Sequence, residues 1–213
     1  MTAIDDAAAA VRAGTLIVFP TDTVYGLACL PDDPAATDRV FELKERPKEF
    51  ALAILVPSTA AAKEVAVFDE RAERLASALW PGALTIVLPR SEVSQPWELG
   101  GEDRSIGVRV PRHPLALAVL RATGPLAVTS ANRSGEPPAR SSDELHAAFG
   151  DRVAVYLCQD DPLGGEPSTV IDLAHGDAQV GRVGSIEETR LRELLGAEVP
   201  LLDSPPPKVT PSR

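Results

Sequence analysis

The sequence predicts an α/β fold, and three observations carry it. Short apolar runs alternate with helical patterns along most of the chain, and Gly or Pro marks the breaks between them. The 213 residues, 44% of them hydrophobic, can bury one sizeable core, as one domain or one plus a small extension.

The elements follow in order. Residues 4–13 are Ala-rich and stop at Gly14, a helix with a C-terminal breaker, and 15–19 form an apolar strand. Asp33-Pro34 starts a second helix that runs toward Lys44 and ends at Arg46-Pro47. Strands are expected at 51–56, 83–88, 106–110, 126–129, 153–158, 169–173 and 179–183. Helices are expected at 69–79 and 114–122, with capping boxes at Ser141-Ser142-Asp143-Glu144, opening a helix to Phe149, and at Ser185-Ile186-Glu187-Glu188, opening one to Leu195. The chain divides into one domain over 1–200 and a Pro-rich tail over 201–213, expected to be extended or disordered.

A net charge of -10 and a pI near 4.8 argue against a general nucleic-acid or anionic-membrane surface, because such binding needs clustered Lys and Arg. A local basic pocket stays open. Cys29 and Cys158 form no CxxC pair and sit near no plausible His ligand, which fits a reducing cytosol, and no disulfide framework or structural zinc is expected. The first residues lack a basic segment followed by an apolar core, and no run of eighteen apolar residues occurs, so a soluble, cytoplasmic protein without membrane attachment is expected.

Four polar clusters fall where strands or helices end. Thr21-Asp22-Thr23 follows the apolar run to Phe19 and is either an Asx or Ser/Thr turn or the lining of a site. Lys44 and Arg46 close a helix, where cations complement the dipole, but Pro47 turns the chain and can aim them at a polyanion. Thr129-Ser130-Ala131-Asn132-Arg133-Ser134-Gly135 is denser in short hydrogen-bonding side chains than a reversal needs. Gly164 to Asp172 leads hydroxyls into a strand, with Arg182 on a later one. Arg109, inside the apolar run "GVRVP", needs a partner, either a structural carboxylate or a substrate's. In open α/β sheets ligands lie outside strand ends, which is where these clusters are expected to meet.

Taken together, "FPTDTVYGL", "KERP", "WPGALTIVL", "GVRVP", "TSANRSGEP", "PSTVID" and "GRVG", in this order, resemble the YrdC domain of threonylcarbamoyl-AMP synthases, over about residues 7–186. The resemblance is to the short bacterial form and implies a YrdC-like twisted open mixed sheet with flanking helices. It implies an enzyme that joins L-threonine, bicarbonate and ATP into threonylcarbamoyl-AMP and pyrophosphate, for modification of tRNA adenosine by partner proteins, the tRNA-threonylcarbamoyl transferase machinery. Matched by position, Thr23, Arg109, Ser130 and Ser168 are expected to contact threonine, and Lys44, Arg46, Ser105, Asn132 and Arg182 to contact ATP. Thr21, Asp22, Tyr25 and Arg140 are expected pocket lining. Three positions depart from longer relatives: Leu55 replaces a His, Phe50 an Asn near ATP, and Arg140 a Thr, so Phe50 is dropped from the ATP contacts and the contact at Arg140 is left open.

No GxxxxGK[ST] loop and no GxSxG occur, and His113, His146 and His175 are scattered without metal-ligand spacing. Mg²⁺ is therefore expected to arrive with ATP, held by its phosphates rather than by a dedicated protein site. A carbamoyl-transfer domain of the hydrogenase-maturation type and a noncatalytic RNA-binding module are the alternatives. Missing accessory segments weigh against the first and acidity against the second, and tRNA is expected to bind at most weakly.

Overall fold

The computed structural model describes residues 2–101, 104–160, 163 and 165–196. The expected Pro-rich tail and the end of the 1–200 unit lie outside the described residues. One mixed sheet of nine strands organises the rest. The strands are β1 (Ile17–Phe19), β2 (Gly26–Cys29), β3 (Ala53–Leu55), β4 (Leu84–Pro89), β5 (Ser105–Arg109), β6 (Leu126–Ser130), β7 (Val155–Tyr156), β8 (Thr169–Asp172) and β9 (Gln179–Arg182). Their spatial order is β7-β1-β2-β6-β3-β5-β4-β8-β9. Parallel pairs (β1 with β7, β3 with β5, β4 with β8) are interspersed among antiparallel ones, so the expected α/β class with an open mixed sheet is what the chain forms.

Seven helices flank the sheet: α1 (Ala3–Arg12), α2 (Pro34–Lys44), α3 (Thr59–Val65), α4 (Glu70–Leu79), α5 (Pro114–Thr123), α6 (Ser142–Phe149) and α7 (Glu188–Leu195). Local chemistry fixes their starts. Thr2 and Asp5 exchange side-chain bonds with each other's backbone at the head of α1, and Asp33 accepts from the Ala36 amide ahead of Pro34 in α2. At α6 the expected capping box is one-sided: Ser141 accepts from the Glu144 amide, but the Glu144 carboxylate accepts from the amide of Arg140, one residue early. At α7 the expected box does not form. The helix begins at Glu188 behind an uncapped Glu187, because the Ser185 hydroxyl donates instead to the Pro167 carbonyl at 3.2 Å.

Period-two alternation splits the strand residues between two faces. Leu84, Ile86 and Leu88 of β4 point into the larger core together with Val40, Leu75 and Leu191 of α2, α4 and α7. Ile17, Phe19, Ala28, Leu55 and Val128 point the other way, where Ala7 and Val11 of α1 and Val119 and Leu120 of α5 cover one end of the sheet. That second face is only half covered. Across β6, β3, β5, β4 and β8 the same-face residues Val128, Ala53, Gly107, Val87 and Asp172 line an open cavity.

Candidate active site

The cavity encloses about 720 Å³, within the size that small-molecule sites usually have. It lies across the sheet's bare face rather than beyond strand ends as the sequence suggested, because α1 and α5 leave that half of the face without a helix. Ten of the thirteen residues expected at the site line it: Thr21, Thr23, Tyr25, Arg46, Ser105, Arg109, Ser130, Asn132, Ser168 and Arg182. They come from six chain segments that the fold brings together.

The Thr21-Asp22-Thr23 segment is both a turn and a wall. The Thr21 hydroxyl donates to the Val24 carbonyl at 2.6 Å and accepts from the Thr23 and Val24 amides at 3.2 Å, which is the Ser/Thr-turn pattern. With Thr21's proton so committed, the 3.0 Å contact between the two hydroxyls has Thr23 as donor. Thr23 in turn accepts from Arg109 Nη1 at 2.9 Å, and one lone pair is left for a ligand N–H.

Arg109 does have its structural carboxylate. Its Nη2 donates to Asp22 Oδ1 at 2.6 Å and its Nε to the Gly82 carbonyl at 2.9 Å, and the pair is nearly enclosed, with side chains 6% and 15% exposed. Asp22 also accepts from the Arg112 amide at 2.9 Å, so it anchors the guanidinium without lining the cavity itself. Burial lowers the Arg109 pKa and Asp22 opposes that shift.

Arg182 sits across from it, donating through Nε and Nη2 to the backbone oxygen and hydroxyl of Ser168 at 3.0 and 3.1 Å. The Ser168 hydroxyl also meets Thr85 Oγ1 at 2.9 Å. Burial and the Arg109 charge lower the Arg182 pKa, and burial and Arg182 lower that of Arg46. Three guanidiniums line one cavity, Arg109 lowering the pKa of Arg182 and Arg182 that of Arg46, and this gathering of positive charge favours an anionic ligand.

Helix α2 ends in a way that separates its two cations. Glu45 takes a left-handed backbone, φ 52°, and the amides of Glu45 and Arg46 reach back to the carbonyls of Glu42 and Phe41, closing a Schellman motif. Lys44 is thereby turned inward and Arg46 outward. The Lys44 ammonium, 2% exposed as a residue, donates to the Ser130 carbonyl at 2.5 Å, the Asn132 carbonyl at 2.8 Å and Asn132 Oδ1 at 3.2 Å. Those three bonds use its three protons, so Lys44 does not line the cavity, and the direct phosphate contact expected of it gives way to support of the Ser130–Asn132 loop. Burial, with Arg46 adding to it, pushes its pKa down to about 7.

Asn132 is likewise built into the loop: its amide donates to the Arg133 and Glu136 carbonyls at 2.8 and 2.6 Å. Arg140 does not line the cavity and packs against Gly165 instead, where a Cβ added at Gly165 would stand 2.7 Å from its Nη2. Phe50, dropped at the sequence level, is in the wall. Thr85 and Gly107 were read only as strand interior. The signal for Thr85 was a lone hydroxyl in the run Leu84-Thr85-Ile86-Val87-Leu88, on the face opposite the leucines. Gly107 keeps the floor low, since a Cβ there would meet Thr85 Cγ2 at 3.3 Å.

Among the described residues no group of three or more His, Cys, Asp or Glu could hold a metal ion, and no helix is long and apolar enough to cross a membrane. Cys29 and Cys158 are both free, and burial pushes the Cys29 thiol up to about 12. A second cleft of about 350 Å³ near Trp97 is lined by Lys48, which pairs with Asp38, and by Arg90 and Arg104.

Fold and site thus define an α/β protein with an arginine-lined anion cavity on the open face of a mixed sheet. The chain belongs to the Sua5/YciO/YrdC family, whose model, described as "Telomere recombination", matches residues 9–184. The threonylcarbamoyl-AMP synthase of Chromohalobacter salexigens is 40% identical over 178 residues, covering 82% of this chain and 94% of that one. Among solved structures, Pyrococcus abyssi Sua5 complexed with L-threonine superposes with a TM-score of 0.88 at 35% identity over 93% of this chain. This chain spans only 58% of that protein's length. Escherichia coli YciO superposes with a TM-score of 0.80 at 30% identity, covering 86% of this chain and 90% of its own.

Proposed function

We propose that the chain is an L-threonylcarbamoyladenylate synthase, which forms threonylcarbamoyl-AMP and pyrophosphate from L-threonine, bicarbonate and ATP. The observation that carries the reading is one cavity in which three guanidiniums stand among Thr23, Ser130 and Ser168. The relatives named for this activity and the Pyrococcus structure complexed with L-threonine support the same ligand class.

The chemistry suits these groups. The threonine amine attacks bicarbonate carbon, losing water, and one carbamate oxygen then attacks the α-phosphorus as the bond to pyrophosphate breaks. Both steps gather negative charge near weak nucleophiles, so positioning and charge neutralisation are what the protein must supply. Three of the five Arg109 protons are engaged by Asp22, Thr23 and Gly82, leaving two for the threonine carboxylate. Thr23's remaining lone pair takes the amine. Ser130 and Ser168 complete the threonine subsite, and Arg46, Arg182, Ser105 and the Asn132 loop surround ATP, with Lys44 behind that loop. Magnesium would be held by the oxygens of the triphosphate, because among the described residues no group of three or more His, Cys, Asp or Glu could hold it. Its chemistry is charge neutralisation on the phosphate oxygens, and Asp22 is already committed to Arg109.

The product passes to a tRNA-threonylcarbamoyl transfer machinery in the cytoplasm. Direct tRNA binding is weak, because the chain carries a net charge of -10. Pyrophosphate release from ATP, measured with each co-substrate omitted in turn, tests the reading. Release that needs both threonine and bicarbonate is expected, and release indifferent to threonine contradicts it.

A further inference from the structure

We propose that Thr85 is a positioning residue for the reaction: its hydroxyl donates to Ser168 and so turns the Ser168 proton into the cavity, onto an oxygen of bicarbonate and of the carbamate formed from it. The inference rests on the synthase reading above, in which Ser168 belongs to the threonine side and Arg182 to the ATP side.

Thr85 stands on the floor between those two sides. It lies on the cavity face of β4, away from Leu84 and Ile86 of the larger core, and is buried. The antiparallel register that pairs Ile86 with Val108 brings the adjoining positions, Thr85 and Arg109, side by side, and on its other flank Thr85 meets Ser168. A hydroxyl buried in an apolar strand needs a partner, and this one has Ser168 Oγ at 2.9 Å. The methyl group fixes that choice. Thr85 Cγ2 faces Gly107, where an added Cβ would stand 3.3 Å from it, so the hydroxyl is directed toward Ser168, and a β-branched side chain has little freedom to turn away.

Proton counting gives the direction of the bond. Ser168 Oγ already accepts from Arg182 Nη2 at 3.1 Å. The two hydroxyls carry two protons, and the contact between them uses one. Neither hydroxyl meets another acceptor among the described residues, so the second proton is left to the cavity. An anion drawn to Arg182 meets Ser168 first, because Ser168 is the hydroxyl bonded to that guanidinium. Thr85 therefore donates to Ser168, both Ser168 lone pairs are filled, and the Ser168 O–H has the ligand as its acceptor. A hydroxyl that accepts from a cation is also a stronger donor, since hydrogen bonds in a chain polarise one another.

The reaction sets which oxygen lies there. With the threonine carboxylate on Arg109 and the α-phosphorus on the Arg182 side, the carbon that joins amine to phosphorus lies between them, beside Ser168. Held there by one oxygen, the carbamate presents another to phosphorus.

The test is the bicarbonate dependence of pyrophosphate release by the full chain and by Thr85→Val, Thr85→Ser, Ser168→Ala and Thr85→Val combined with Ser168→Ala, with ATP affinity measured in each by calorimetry. Thr85→Val keeps the branched shape and is expected to lower kcat/KM for bicarbonate roughly 10- to 100-fold, the scale of a misplaced reacting group, with ATP affinity unchanged. Thr85→Ser restores the hydroxyl and is expected to recover most of that loss. In the Ser168→Ala background Thr85→Val is expected to cost nothing further, because Thr85 acts through Ser168. Wild-type kinetics in Thr85→Val, a serine variant as impaired as the valine one, or losses that add in the double variant would each overturn the proposal. So would a parallel loss of ATP affinity. Pyrophosphate release by the wild type that is indifferent to bicarbonate would overturn the synthase reading itself, a distinguishable failure.

Discussion

Lys44 Nζ donates to both oxygens of Asn132, the carbonyl at 2.8 Å and Oδ1 at 3.2 Å, and so ties the end of helix α2 to the loop after β6. Partners 88 residues apart in the chain thereby fix one wall of the cavity. Lys44→Met removes the ammonium and leaves buried acceptors unmet, which is expected to lower stability by about 2 to 4 kcal/mol. ATP affinity should fall with it, because the loop loses its anchor. Chemical denaturation together with ATP titration checks this, and unchanged stability would return Lys44 to a direct ligand role.

The same lysine gives a pH signature. Its pKa in the fold is lowered from 10.5 to about 7, so between those values the unfolded chain holds more protons than the native one. The cost of burying the charge is therefore complete below about pH 7 and is relieved as pH rises toward 10.5. The stability of wild type relative to Lys44→Met should increase across that window. Denaturation midpoints of both proteins at neutral and alkaline pH measure it, and a pH-independent difference would contradict the assignment.

Asp22 and Arg109 form the nearly enclosed ion pair of the threonine side. Asp22→Ala strands a buried guanidinium and is expected to cost about 3 to 5 kcal/mol, whereas Asp22→Asn, which still accepts from Arg109 and the Arg112 amide, should cost clearly less. Threonine affinity should fall in both, and further in Asp22→Ala, since a neutral amide holds Arg109 less firmly than the carboxylate and a methyl does not hold it at all. Thermal unfolding with threonine titration distinguishes this from a purely structural pair, in which Asp22→Asn would leave threonine binding intact.

Gly107 makes a different claim, about space. Gly107→Leu projects a side chain from the cavity floor toward the ligand and should abolish ATP binding while the protein stays folded. Gly107→Ala, whose Cβ has ordinary room beside Ala53 at 3.8 Å and a closer neighbour in Thr85 Cγ2 at 3.3 Å, should change stability by less than about 1 kcal/mol. Circular dichroism and nucleotide titration decide it, and a leucine variant with wild-type affinity would place the ligand elsewhere.

Much of this was legible in the sequence because local chemistry set it. The Asp33-Pro34 start of α2 and the apolar runs of β4 and β6 are signals within a few residues of the elements they specify. Strand β2 was passed over because Gly26 follows a polar turn and the strand is only 4 residues long, and α3 because its 7 residues carry little periodicity. The site's residue types were legible in the same way, but their division of labour was not. Nothing near Lys44 in the chain announces that its partners are Ser130 and Asn132, and nothing near Arg109 sets Asp22 apart from a substrate carboxylate. Those assignments come from strand order, which brings β6 beside β2 and β3 and lays β5 next to β4.

The central claim is that this cavity joins threonine, bicarbonate and ATP, and direct detection of the product tests it most closely. Purified protein, supplied with ATP, L-threonine and isotopically labelled bicarbonate, would be quenched and its nucleotides resolved by mass spectrometry. Labelled threonylcarbamoyl-AMP is predicted, in amounts matching the pyrophosphate released and strongly reduced in Arg109→Met. Pyrophosphate released with AMP alone, and no labelled adenylate at any time point, would contradict the account.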